Sequence, residues 1–246
     1  MDQTDTASTD AQWRRVFRLG GVAGLIAVVV VVAEMGITFL PGGSTSAETV
    51  VDWFELLQDN WFIGLRNLGL MNLIFTVLGI PVWLALYGAH CQGNRLSAAL
   101  ALIVSTIGLA VFLATNRALA MLDLSRQYAA ATTDAQRMIL ESAGQAMLSV
   151  GESHVPGTFL GFFLSEVAGI MISVVMWRGR VFSRPTAAAG ALGFGLLLIY
   201  DILASFVPGS QEVALIPAMV GGLLNVAWYT LTARRLLRLA RQPLRQ

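Results

Sequence analysis

The chain has 246 residues, 56% of them hydrophobic and 13% charged, with a mean hydropathy of +0.68, a composition that argues against a water-soluble globular fold. A net charge of only +1, with basic residues at helix ends rather than along one stripe, argues against a nucleic-acid surface. The single Cys91 forms no intrachain disulfide and reads as a small buried apolar residue.

A hydrocarbon core of about 30 Å takes roughly 20 apolar residues of helix. Six segments reach that length: Phe17 to Leu40, Leu65 to Ala89, Leu96 to Ala120, Val155 to Trp177, Thr186 to Val207 and Val213 to Leu236. The expected fold class is therefore all-α, a polytopic integral membrane protein with one bundle over residues 17–240, a polar tail at 1–16 and a basic tail at 241–246. Arg14 and Arg15 open a run that resembles a twin-arginine leader, with Thr45 to Ala47 as a cleavage site. The run is long for a signal peptide, so it is read as an uncleaved first span anchored by Arg14, Arg15 and Arg18.

Between spans one and two, Ser46 to Phe62 carries Val50, Trp53, Phe54 and Leu57 at helical spacing, with the acids mostly elsewhere, and predicts an amphipathic helix. Between spans three and four, Thr132 to Leu148 opens with Thr133 and Gln136 as a capping box. It sets Ala135, Ile139, Ala143 and Met147 on one face. Each outer helix is read either as a lid or as a connector resting on lipid headgroups. Pro81 and Pro217 fall inside spans, where they kink the helix or sit in a first turn. Twelve arginines flank the side with both termini and four flank the other, which puts both termini in the cytoplasm.

Polar residues inside the spans are costly in lipid and should face protein or water. They are Glu34 in span one, Asn72 in span two, Asn116 and Arg117 near the outer end of span three, Glu166 in span four, Asp201 in span five and Asn225 in span six. Small residues share their faces: Gly161, Ser165, Gly169 and Ser173 with Glu166, Ala187, Gly190 and Ser205 with Asp201, and Gly221 and Gly222 with Asn225. Such faces mark helix contacts in membranes, so the acids are expected to point into the bundle. The spacings Gly20 with Gly24 and Gly157 with Gly161 are read as close approach within the monomer before contact across a homodimer.

Glu34, Glu166 and Asp201 would share the interior with Arg117, and with Arg66 at its rim, leaving one or two acids in excess. An excess buried carboxylate takes up a proton or coordinates a cation. The structural alternative has the same acids pairing with Arg117 or bonding to Ser and Asn, which sets helix register. His90 and His154 lie on opposite sides of the bilayer, and no phosphate-binding loop or zinc-protease motif is present, so neither a cofactor nor an enzymatic role is expected.

The stretches NLGLMNLIFTVLGIPVWLALYGAH and FFLSEVAGIMISVVMWRGRVFSRPTAAAGALGFGLLLIYDILASFVPG resemble the bacterial six-span membrane proteins of domain-of-unknown-function family 4386 (DUF4386). The likeness rests on Phe162 and Phe163, the basic turn Arg178 to Pro185, and Tyr200 with Asp201, and it implies the six-helix fold without an activity. Together these readings lead to a small-solute or ion permease with a polar cavity open to the outside. Asp201 and Glu166 would be proton or cation sites, with Glu34 a third acid. Arg117 would be the counter-charge, and Asn72 and Asn225 would contact the solute. The competing reading is a non-transporting accessory or sensor protein that binds a membrane partner. A permease needs acids converging on one wet cavity, whereas an accessory protein would hold them paired and dry.

Overall fold

Helix is a form in which a chain crosses hydrocarbon with its backbone polar groups satisfied internally. The computed structural model describes residues 3–38, 47–150 and 156–242, which form ten helices and no strand. They are α1 (Gln3–Thr38), α2 (Val50–Asp59), α3 (Trp61–Asn67), α4 (Leu70–His90), α5 (Arg95–Thr115), α6 (Ala118–Ala130), α7 (Asp134–Ser149), α8 (Phe159–Gly179), α9 (Arg184–Phe206) and α10 (Gln211–Leu239). Six of them, α1, α4, α5, α8, α9 and α10, are long and apolar enough to cross a membrane. Large aliphatic side chains such as Val29, Leu96, Leu192 and Ile216 stand exposed on their outer faces, where lipid replaces water as the solvent.

The six spans form a closed ring in chain order. α1 contacts α4, α4 contacts α5, and so on through α8 and α9 to α10, which returns to α1. Short connections make consecutive helices antiparallel neighbours, and glycine lets them approach. Gly20 meets Ala85 and the Pro81 carbonyl of α4, Gly24 meets Ala233 of α10, and Gly161 meets the Phe112 backbone of α5. These glycines serve contacts inside one chain, as expected. The first helix starts at Gln3, ahead of the expected span, and Trp13 stacks near Phe17 and Tyr87 with its ring over Gly88.

At the end of the ring away from the termini, α2, α3, α6 and α7 assemble into a cap. Val50, Trp53, Phe54 and Leu57 are all buried, as their spacing predicts, and they meet Leu65, Leu68, Ala118 and Met121 in a second apolar core. Ser125 Oγ donates to the Phe54 carbonyl at 2.8 Å, and Tyr128 donates to Glu141 at 2.9 Å. The Thr133–Gln136 capping box forms as expected, and α2 is boxed by Thr49 and Asp52. The face expected of α7 is met in part: Met147 packs against this core and Ala143 is half-buried, while Ile139 is 69% exposed and the close approach to α2 is made by Gly144, which meets Val50 and Phe54.

Two expected spans are shorter than their apolar runs. Gly69, with φ +96°, makes a left-handed turn that splits α3 from α4, so Leu65 to Asn67 belong to the cap. Asn116 is extended, and its Oδ1 accepts the Ala118 amide at 3.1 Å, ending α5 and starting α6. Arg117 therefore stands at the junction of α5 and α6, at the base of the cap. Cys91 is half-buried, with its thiol donating to the Gly88 carbonyl at 3.1 Å. His154 and the Thr45–Ala47 cleavage motif lie largely outside the described residues, of which Ala47 alone is seen.

Candidate functional site

Inside the ring, all six spans line one cavity of about 290 Å³. Its polar wall comes from Asn72 and Thr76 on α4, Ser165 and Glu166 on α8, and Asn225 on α10. Phe75, Trp83, Phe112, Phe162, Phe194 and Tyr229 supply rings around the rest. The lining is largely apolar, which corrects the expected polar cavity. Much of the small-residue surface flanking the acids is consumed in helix contacts, as where Gly169 meets Phe194 and Gly193 meets α10.

Two of the three expected acids converge. Glu166 is 6% exposed and lines the cavity, while Asp201 is fully buried behind it on α9. The two acids stand next to each other across the α8–α9 contact. Two carboxylates so close in a low-dielectric interior repel, which disfavours ionising both, and Glu166 Oε2, itself buried, meets no hydrogen-bond partner among the described residues. The approach of α8 to α9 that brings the acids together depends on Gly169, one turn from Glu166, where the Phe194 ring occupies the position of a side chain. Tyr200 lies within electrostatic reach of Asp201.

Glu34 takes no part in this pair. Arg66 Nε donates to its Oε2 at 2.9 Å, the guanidinium being almost fully buried and Glu34 about one-third exposed. This pair ties α1 to the cap. Arg117 is likewise not placed as counter-charge to the carboxyl pair; its Nη1 donates to the Leu148 carbonyl at 3.0 Å, joining α6 to α7. Asn72 and Asn225 line the cavity with Glu166. By the wet-or-dry criterion the acids divide: Glu34 is ion-paired, and Glu166 faces open space with Asp201 at its back.

The aromatic wall was missed from sequence, although a signal existed. Phe75, Thr76, Gly79 and Trp83 follow Asn72 at spacings of three and four, Phe162 precedes Glu166 by four, and Tyr229 follows Asn225 by four. Extending each polar face one or two turns would have found them. Among the described residues no group of three or more His, Cys, Asp or Glu is arranged to hold a metal ion. Comparison with protein-family models, with curated proteins and with solved structures finds no match to this chain.

Proposed function

We propose that the protein is a proton-linked permease for a small solute or cation, acting through the Glu166–Asp201 pair. The observation that carries this reading is the buried neighbour pair Glu166 and Asp201, with Glu166 on the wall of a cavity lined by six spans. Intramembrane acids are expensive in lipid, and those that face a cavity commonly mark ion or proton pathways. The arginine distribution supports an orientation with both termini in the cytoplasm. In that orientation the cap would cover the outer end of the ring.

A specific observation favours the competing reading of a non-transporting membrane partner: Glu34 is neutralised by Arg66, and Asp201 does not line the cavity. Reconstitution into liposomes with a trapped pH dye separates the two. A permease moves protons when a solute gradient is imposed, and Asp201→Asn and Glu166→Gln stop that flux while remaining folded by circular dichroism. Absence of solute-dependent proton flux in wild type, over amines, carboxylates and alkali cations, refutes the permease reading.

A further inference from the structure

Two hydroxyls on the cavity wall have spent their own hydrogens, beside the amides of Asn72 and Asn225, which carry both donors and an acceptor. Thr76 Oγ1 donates its own hydrogen to the Asn72 carbonyl at 2.7 Å, and Ser165 Oγ donates to the Gly161 carbonyl at 2.9 Å. Each hydroxyl has one hydrogen, so what both turn toward a ligand is lone pairs. Glu166 adds a carboxyl group to the same wall. The lining includes no Arg, Lys or His that would hold an anion. Aromatic faces, which attract cations through their ring quadrupoles, occupy the remaining wall.

A bare alkali or divalent cation fits this wall poorly. Such ions are held by shells of several oxygen ligands, and an apolar, aromatic lining does not replace them. An ammonium group carries its own donors and needs about three acceptors, which are present. The volume of about 290 Å³ is at the small end of ligand pockets and suits one ring or a short alkyl body.

Resting on the reading of this site as proton-linked, we propose that the cavity binds a monoamine, an organic cation with an aromatic or short alkyl body, in exchange for a proton held by Glu166 and Asp201. The ammonium nitrogen sits at Glu166 with Ser165 and Thr76 as further acceptors, and the body lies among the rings. As it binds, the carboxyl pair loses one proton to solution and the carboxylate formed pairs with the ammonium. One positive charge enters and one leaves, so the net charge of the buried site is unchanged, which avoids the cost of a net charge in the membrane interior. The titratable groups around the pair are Tyr200 on α9 and Tyr229 on α10; the lining residues of α1, α4 and α5 carry none.

The test uses the full chain in detergent with three probes of one shape: phenethylamine, neutral 2-phenylethanol and anionic phenylacetate. Titration calorimetry in two buffers of different ionisation enthalpy counts protons. The expected result is binding of the amine ahead of both analogues, with one proton released per amine. Glu166→Gln should weaken the amine by about tenfold or more, and by more than it changes the alcohol. Binding of phenylacetate or phenylethanol at least as tightly as the amine overturns the ligand class, and amine binding without proton release overturns the exchange. Both results come from wild-type protein, so they stand if the variant fails to fold. Failure of amine binding alongside solute-driven proton flux in liposomes sinks this inference and keeps the permease. Amine binding with proton release but no flux does the reverse.

Discussion

Replacing Gly169 by alanine tests the contact that brings the two acids together. The added carbon would lie inside the Phe194 ring, closest to Cγ at its root and not to a freely moving tip, so relief requires α9 to shift. Overfilling a close-packed interior costs about 1–3 kcal/mol. Alanine is favoured over glycine inside a helix by about 1 kcal/mol, which would mask part of that cost. Gly195→Ala supplies the reference, because a carbon there meets nothing within 4 Å. Subtracting the two cancels the helix term and leaves the overlap, an expected difference of about 1–3 kcal/mol against Gly169→Ala. The assay is equilibrium unfolding in mixed micelles followed by helicity, and in a double-mutant cycle with Phe194→Ala, which removes Cγ and the ring, the cost of Gly169→Ala should shrink. Because Glu166 stands one turn away, the amine affinity should fall with stability in Gly169→Ala. Equal stabilities for Gly169→Ala and Gly195→Ala would refute the claim that α8 and α9 touch at this residue.

The Glu34–Arg66 pair should show a coupling of about 1 kcal/mol in a double-mutant cycle with Glu34→Gln and Arg66→Met, a charged hydrogen bond discounted for the exposure of Glu34; zero coupling in unfolding midpoints would contradict the pairing. Gly144→Val should detach α7 from α2, since a side chain there collides with Val50 and Phe54, and limited proteolysis should then cut near α7 while the spans stay protected. In α2, the Thr49 backbone amide, 2.8 Å from Asp52, holds that carboxyl below its ordinary value of 3.8. Its folded value is depressed, so the cap contributes above pH 3.8 and is lost as pH falls through the lower folded value. Trp53 fluorescence should change on acidification in wild type, and the same change in Asp52→Asn would show that another group is responsible.

Element existence was legible wherever periodicity or composition had one solution. A run of apolar residues long enough to cross a bilayer leaves little alternative to a spanning helix, and all six spans formed. Val50, Trp53, Phe54 and Leu57 were found buried because their helix has one apolar face. In α7 two faces were available, and the choice passed to Gly144, a residue that adds no hydrophobicity to any pattern. Helix ends at Gly69 and Asn116 escaped notice for a related reason: the apolar run continues across both, while the turn depends on one backbone angle or one side-chain bond.

Burial of Glu166 and Asp201 followed from the chain alone, since an acid amid small residues in a spanning helix must turn from lipid. Which acid meets which group did not. Partner choice depends on distances across helices far apart in sequence, and a list of charges holds no such distances. Ring closure in chain order placed Glu166 against Asp201 and left Arg117 at the base of the cap, while the turn at Gly69 brought Arg66 to Glu34. The aromatic character of the cavity was decided in the same way, by the one face of each span that points inward once six helices close around a common axis.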